Sequence, residues 1–138
     1  MALDVRGLCP LLQVYDMPTA VEFYRDKLGF AVISTSPALG GVDRFHWVLM
    51  RHGDAELMLN TAYEFDDERP AVVDGRRVTG HGDCCLYLGC RDVDAAYEEL
   101  KANGLDVEKP KVAPYGMKQM YLKDPDGYGI CFQWAVGA

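Results

Sequence analysis

Cysteine is the most chemically reactive residue type in this sequence, and two of its positions repeat. Residues 9–16 align with residues 85–92, because 85 − 9 and 92 − 16 both give an offset of 76. The alignment places Cys9 and Cys85 at equivalent positions. A thiolate can act as a nucleophile or bind a soft metal ion such as Cu⁺ or Zn²⁺. The repeat therefore predicts either a thiol site between two copies of one unit or small apolar fillers of a core.

The other cysteines leave both interpretations open. The chain has five cysteines, an odd number, and no C-x-x-C pair. This usage is typical of a reduced protein of the cytoplasm. Strand alternation turns Cys84 and Cys90 away from Cys85, so we expect both in the core.

The three histidines match no metal-binding spacing. His52 falls in a predicted turn and His81 in a long polar stretch, whereas His46 falls in or beside a predicted strand. A single strand histidine is typically structural, and the alternative is that His46 lines a pocket.

Aromatic residues outside the predicted helices are candidates for stacking on a flat ligand. They are Trp47, Tyr63, Phe65, Tyr87 and Tyr115. Each of them also suits an ordinary core position, which is the usual role of a strand tryptophan.

The bulk composition bounds the function. The 138 residues are 49% hydrophobic and 25% charged, with a net charge of −7. These values fit one globular domain and argue against nucleic acid or an anionic membrane as a partner. The acidic balance permits a cationic ligand, although its simplest role is solubility. No apolar stretch is long enough to predict a membrane span.

The elements that position these residues occur twice, each time in the order β-α-β-β-β. In the first half we predict strands at 8–15, 30–34, 45–50 and 56–60 and a helix at 17–28. In the second half we predict strands at 84–90, 106–107, 117–123 and 129–134 and a helix at 92–103. The first helix has the usual signals of a helix start and end, with Asp16 as a cap, Pro18 in the first turn and Gly29 at the end. Residues 124–127, Asp-Pro-Asp-Gly, fit a type I turn.

The chain is therefore predicted to be a single domain, 1–138, made of two modules. Module one spans 6–62, module two spans 83–136, and a polar loop at 63–82 connects them. The acidic run of Glu64, Asp66, Asp67 and Glu68 in this loop is interpreted as solvated, with an acidic lid over a cationic ligand as the alternative.

Strand parity predicts which side chains line a concave face. The more apolar strand faces should pack on the helices. In the last strand this face carries Ile130, Phe132 and Trp134. A second alignment, of residues 57–60 with 130–133 at an offset of 73, relates Met58 to Cys131. The side chains left for the concave faces are Cys9, Leu11, Gln13, Met58, Asn60, Cys85, Tyr87, Cys131 and Gln133.

The repeat resembles the vicinal oxygen chelate superfamily of glyoxalases, bleomycin-resistance proteins and extradiol dioxygenases. The similarity rests on residues 16–24 with 28–30, on Pro114-Tyr115-Gly116 and on the turn at 124–127. It covers essentially the whole chain. The resemblance implies an α+β fold in which two tandem βαβββ modules form curled mixed sheets around a cleft, with the helices on the outer face. It also implies pairing of modules in a homodimer.

The enzymes of this superfamily hold a divalent metal with His, Gln or Glu. Carried over by position, the four metal sites fall on Cys9, Met58, Cys85 and Cys131. Thiols and a thioether do not supply the oxygen and nitrogen ligands that this chemistry needs. We therefore predict no metal and no cofactor, and the substitutions disfavour glyoxalase and dioxygenase activity.

The predicted function is that of a metal-free small-molecule binding protein of the bleomycin-resistance type. It would sequester an amphipathic or aromatic compound, cationic in one interpretation, and so confer antibiotic resistance. Tyr115 matches the aromatic residue of the Pro-Trp-Gly segment that packs on the drug in those proteins. The predicted ligand-binding residues are Gln13, Trp47, Met58, Asn60, Cys85, Tyr87, Tyr115, Cys131 and Gln133.

Two alternatives remain from the sequence. One is a lyase, isomerase or dioxygenase of the same superfamily with a non-standard or absent metal site. The other is a sensor based on a soft metal or on a thiol of low pKa among Cys9, Cys85 and Cys131.

Overall fold

The computed structural model describes residues 2–63 and 65–138 and contains two four-stranded mixed sheets. The strands are β1 (Leu11–Val14), β2 (Ala31–Thr35), β3 (Trp47–His52), β4 (Ala55–Thr61), β5 (Cys85–Gly89), β6 (Lys111–Val112), β7 (Met117–Lys123) and β8 (Gly129–Ala135). The helices are α1 (Met17–Val21), α2 (Gly75–Gly80) and α3 (Val93–Ala102).

The two sheets have the same topology. Their strand orders are β1-β4-β3-β2 and β5-β8-β7-β6. In each sheet the first strand runs parallel to the last and the remaining neighbours are antiparallel. The α+β fold with a repeated β-α-β-β-β unit is thus confirmed. No helix of the described residues is both long enough and apolar enough to cross a bilayer.

The first helix is built from two kinds of turn. The Asp16 side chain caps α1 by accepting a hydrogen bond from the Thr19 backbone amide. From Glu22–Lys27 the chain continues in wider, π-helical turns. These turns place the adjacent aromatic residues Phe23 and Tyr24 in the core together. The predicted helix at 17–28 is therefore present, although half of it is not α-helical.

The two main helices meet at their carboxyl ends. Asp92 caps α3 by accepting from the Ala95 amide at 2.9 Å. At the other end, the Lys27 Nζ donates to the Asn103 carbonyl at 2.7 Å, and the Asn103 side-chain amide donates to the Lys27 carbonyl at 2.9 Å. This reciprocal pair joins the first half of the chain to the second.

The core lies between the helices and the predicted apolar strand faces. Val14, Val48 and Leu59 of the first sheet are fully buried, and Ile130 of the second sheet is almost so. Burying each such side chain contributes about 1.5–3 kcal/mol relative to exposure. Alternation thus predicted correctly which side of each sheet packs inward.

Two strand predictions were wrong in position. The first strand was predicted from residue 8, but β1 begins at Leu11. Leu8 is 91% exposed and contributes nothing to the core. The short strand predicted at 106–107 is absent there, and β6 lies at Lys111–Val112 instead. β6 pairs with β7, with Lys111 opposite Gln119, and a tight turn joins the two strands. The position of β6 is therefore set by this turn.

The segment predicted as a polar connecting loop holds short helices. Asp74 caps α2 by accepting from the Arg76 amide at 3.0 Å. Single 3₁₀ turns occur at Asp66–Glu68 and His81–Asp83. Glu64 lies outside the described residues.

The turn at 124–127 fixes this segment and the first sheet to the second module. Asp124 accepts hydrogen bonds from the Tyr24 hydroxyl at 2.7 Å and from the Asp126 and Tyr128 amides at 2.9 Å. Burial raises the pKa of Asp124, and these hydrogen bonds oppose the rise. Asp126 in turn accepts from the Tyr15 amide at 2.7 Å. Both carboxylates therefore act as structural acceptors between the modules.

Candidate functional site

The exposed face of the first sheet carries two rows of side chains. Gln13, Asn60 and Trp47 are paired across β1, β4 and β3. Leu11, Met58 and Leu49 form the neighbouring row. These rows lie opposite the buried face, as strand alternation requires. Leu11 is 44% exposed, so this face offers apolar surface to solvent.

A cleft of about 740 Å³ opens at the end of this sheet. We call it the first cleft. It is lined by Gln13, His46, Asn60, Thr61, Ala62, Arg77, His81 and Tyr128. Its volume lies within the range of sites for small organic ligands, and its polar groups come from both modules and from the connecting segment.

Arg77 reaches the first cleft from α2. Its Nη1 donates to the Asp126 carboxylate at 2.9 Å, and its Nη2 donates to the Gln13 carbonyl. The Arg77 side chain is 18% exposed, and that of Asp126 is 3% exposed. The ion pair thus fixes the guanidinium while the carboxylate is buried.

His81 is held by two contacts. Its ring stacks on Tyr128 with centroids 3.9 Å apart and planes 10° apart. Its Nδ1 lies 2.7 Å from the Asp126 carbonyl oxygen. A carbonyl oxygen only accepts, so Nδ1 carries the proton of this hydrogen bond and Nε2 is the second ring nitrogen. The Tyr128 hydroxyl also accepts from the Gln13 amide at 3.2 Å, which ties the wall of the cleft to β1.

A second cleft, of about 490 Å³, lies at the second sheet. There the turn between β3 and β4, with His52 and Asp54, approaches Leu88, Phe132 and Trp134. In the first cleft, Tyr128 from the turn between β7 and β8 approaches Gln13 and Asn60. The offset of 76 relates Gln13 to Gly89, which lines the second cleft, but Gln133, the equivalent of Asn60 at the offset of 73, does not line it. The two clefts therefore correspond only in part.

The exposed face of the second sheet is rich in tyrosine. The Tyr87 and Tyr121 hydroxyls are 3.0 Å apart, and their rings meet edge to face. Both residues are about half exposed, at 52% and 50%. The hydrogen bond to Tyr87 is the main cause of the raised pKa of Tyr121.

A chain of amides runs along the same face. The Tyr115 hydroxyl donates to Gln119 Oε1 at 3.1 Å, and Gln119 Nε2 donates to Gln133 Oε1 at 2.9 Å. Gln133 is therefore already engaged, whereas its equivalent Asn60 makes a side-chain hydrogen bond only to the neighbouring Thr61 carbonyl among the described residues.

The predicted ligand-binding residues are divided between the two sheets. Gln13 and Asn60 meet in the first cleft, and Trp47 and Met58 lie on the adjoining face. Tyr87 lines the second cleft instead. The other four lie on the second sheet or in the turn between β6 and β7. They are Cys85, Tyr115, Cys131 and Gln133. The sequence therefore named polar residues of the first cleft but did not predict Arg77, His81 or Tyr128 as its walls.

The thiols do not have the environment of reactive cysteines. Burial raises the pKa of Cys9, Cys85, Cys90 and Cys131. Cys131 is fully buried, so the structure gives a ligand no access to it. Cys90 packs against the core as expected, but the expectation for Cys84 was wrong: it lies exposed, just before β5 begins.

The family's metal positions do not fit a metal of the family's kind. Cys9 and Met58 belong to the first sheet region, and Cys85 and Cys131 to the second. Protonated thiols and a thioether are poor ligands for Mg²⁺, Ni²⁺ or Fe²⁺. Within residues 2–63 and 65–138, no group of three or more His, Cys, Asp or Glu side chains is arranged to hold a metal ion.

The described acidic residues of the connecting segment lie away from the first cleft. Asp66 forms an ion pair with Arg44 at 3.1 Å. Neither Asp67 nor Glu68 lines the first cleft. These three carboxylates therefore do not form a lid over it.

Comparison with known proteins agrees with this architecture. The sequence profile of the Glyoxalase/Bleomycin resistance protein/Dioxygenase superfamily matches residues 8–132. No curated protein matches the sequence.

Solved structures share the fold over nearly the full length. A glyoxalase/bleomycin resistance protein/dioxygenase from Nocardioides has a TM-score of 0.70 at 21% identity, covering 99% of this chain and 89% of that one. An antibiotic-binding protein from Streptomyces sp. CB03234 has a TM-score of 0.66 at 25% identity, covering 96% and 98%. A bleomycin-binding protein in complex with bleomycin has a TM-score of 0.65 at 18% identity, covering 94% and 98%. With its repeated sheets, its paired clefts and a profile match over most of its length, the chain belongs to the Glyoxalase/Bleomycin resistance protein/Dioxygenase superfamily.

Proposed function

We propose that this protein binds a small aromatic or amphipathic molecule in the first cleft and releases it unchanged. The observation that carries the proposal is a cleft of about 740 Å³ with several polar side chains, opening onto a partly exposed apolar sheet face. Such a combination orients a ligand by a few hydrogen bonds and retains it by apolar burial. Gln13 and Asn60 would supply the orienting groups, and Trp47 and Met58 the apolar surface.

The fold relatives support binding without chemistry. One related structure holds bleomycin, and another is an antibiotic-binding protein. By analogy, sequestration of a toxic compound would protect the producing or exposed cell. The cysteine and methionine at the family's metal positions fit this role better than metal-dependent catalysis.

We further propose that a second copy of the chain completes the site. Tyr87 and Tyr121 leave half of their surface exposed on the second sheet, and Leu11 leaves a similar share on the first. Unpaired apolar faces of this kind mark interaction surfaces. In a homodimer, the first-sheet face of one protomer would meet the second-sheet face of its partner, bringing Tyr115 and Gln133 to the same ligand. Light scattering should then give twice the chain mass of 15.4 kDa. A monomer at all concentrations would contradict the dimer.

The binding proposal is tested by fluorescence titration with bleomycin and with neutral aromatic amides from benzamide to 2-naphthamide. In a Trp134→Phe background, Trp47 is the single tryptophan. We expect at least one probe to change Trp47 emission in a saturable way. Asn60→Ala should weaken that probe about five- to tenfold, because one orienting hydrogen bond is lost.

The control is Ser34→Ala, which removes an exposed polar side chain from β2 of the same sheet. It should leave the affinity within about twofold, because Ser34 does not line the first cleft. Absence of saturable binding by every probe would overturn the proposed function.

A further inference from the structure

We propose that the ligand of the first cleft carries an anionic group, such as a carboxylate or phosphonate, joined to an apolar body. This inference rests on the proposed binding function and specifies the chemical class of its ligand. The net charge of −7 of the whole chain would by itself favour a cationic ligand, so the preference for an anion comes from the local wall of the cleft.

The first argument is the composition of the cleft wall. Arg77, His46 and His81 line it, together with the neutral polar side chains of Gln13 and Asn60. No carboxylate of the described residues lines it. The local surface therefore offers hydrogen-bond donors, and its one permanently charged side chain is cationic.

The second argument concerns the partner of Arg77. Asp126 neutralises the guanidinium, but Asp126 lines a separate groove with Asp16 and Arg69 and not the first cleft. The Asp126 carboxylate also accepts a hydrogen bond from the Tyr15 backbone amide, on the side of that groove. A ligand in the first cleft would therefore meet the arginine and not its counter-ion.

The third argument is donor capacity. A guanidinium has five N–H groups. Among the described residues, Arg77 uses one toward Asp126 and one toward the Gln13 carbonyl. The remaining donors suit an oxyanion, for which arginine is the preferred protein partner.

The fourth argument is the fixed orientation of His81. Stacking on Tyr128 and donation from Nδ1 to the Asp126 carbonyl hold the ring in place before any ligand arrives. With its Nδ1 proton engaged by Asp126, the ring forms a fixed wall beside Arg77, and the guanidinium supplies the donors for the anion.

The second cleft provides an internal contrast. Asp54 lines it, and no arginine or lysine of the described residues does so. The cationic character of the first cleft thus comes from the connecting segment, which contributes Arg77 and His81 to only one of the two clefts.

The test compares one ring with three head groups: 2-naphthoate, 2-naphthamide and 2-naphthylmethylammonium. We expect the carboxylate to bind at least about tenfold more tightly than the amide, the factor for a charge-assisted hydrogen bond. Raising the salt concentration from about 0.02 to 0.3 M should weaken the carboxylate and leave the amide unchanged.

Arg77→Gln should remove the preference for the carboxylate. Arg76→Gln is the matched control, because it removes the same charge from the adjacent residue, whose side chain is 95% exposed. It should retain the preference. If Arg77→Gln does not fold, the salt series on the native protein decides, because a carboxylate affinity that does not change with salt would overturn the anionic ligand.

The outcomes separate the two proposals. Equal or tighter binding of the amide or the ammonium probe would overturn the anionic ligand while leaving the binding function intact. Loss of the preference in both arginine variants alike would also overturn it, because a long-range charge effect would then explain the result. Failure of all three probes would overturn the inference together with the binding function.

Discussion

The two clefts lie at the two sheets of a repeated scaffold, and their chemistry differs. The first is lined by amides, histidines and an arginine, and the second by Leu88, Phe132 and Trp134 with a single carboxylate. The two sheets beside which they lie have the same strand topology. The difference arises mainly from α2 and the 3₁₀ turn after it, which occur once in the chain and approach only the first cleft. A duplicated fold can thus acquire one specific site through a segment that was not duplicated.

The turns that close the two clefts differ in the same way. Gly127, in the turn between β7 and β8, has a φ of +88°, and a Cβ there would lie 2.2 Å from the Val78 carbonyl oxygen of α2. Gly53, in the turn between β3 and β4, has a φ of +57° and open space around it. The connecting segment is therefore packed tightly on one turn and is remote from the other.

The largest effect is expected for Gly127→Ala. The substitution combines backbone strain with a collision against α2, so we expect a loss of about 2–4 kcal/mol in the free energy of unfolding. Gly53→Ala carries the strain alone and should cost about 1 kcal/mol. Urea denaturation of the two variants measures the difference. Equal losses would show that close packing of α2 adds nothing to stability.

A smaller effect is expected from the buried carboxyl group of the same turn. Because burial raises the pKa of Asp124 in the folded state, its contribution favours folding below the unfolded pKa of about 3.9 and is lost as pH rises through the folded pKa. Asp124→Asn keeps the oxygen that accepts the Asp126 and Tyr128 amides. The variant should therefore gain stability relative to the native protein as pH rises through this window.

Denaturation at a series of pH values checks this expectation. Asp54→Asn, at the exposed turn of the first module, is the matched control for the loss of one carboxyl group. A difference between native protein and Asp124→Asn that does not change with pH would contradict the raised pKa.

The smallest effect concerns the thiols. Iodoacetamide at pH 7 should modify the exposed Cys84 first and leave Cys131 unmodified until the protein unfolds, because Cys131 is fully buried and its pKa is raised. Peptide mass spectrometry measures both sites in one sample. Rapid native modification of Cys131 would mean that the second-sheet face opens and would revive a thiol-based function.

The strands and their faces were predictable because alternation reports burial directly. Leu57, Leu59, Ile130 and Phe132 point inward as their pattern requires. β6 was misplaced because a two-residue strand has too few side chains to show any period, and its position depends on a turn. Cys84 was misassigned because it lies outside the strand, where alternation no longer applies.

The first cleft was only partly predictable for a different reason. Gln13 and Asn60 are on strands, so their face could be inferred. Arg77 and His81 reach the cleft through contacts with Asp126 and Tyr128, which are 45 to 49 residues away in the chain. A local signal did exist, since Asp74 ahead of a polar run suits a helix cap, but it says nothing about where that helix docks.

The reciprocal hydrogen bonds between Lys27 and Asn103 connect equivalent positions of the two copies of the repeat. The side chain of each residue donates to the backbone carbonyl of the other, at distances of 2.7 and 2.9 Å. Lys27 and Asn103 are equivalent positions at the offset of 76, because 103 − 27 gives 76. The contact is therefore symmetric between the two copies of the repeat, and one side-chain pair at equivalent positions fixes how the two copies face each other.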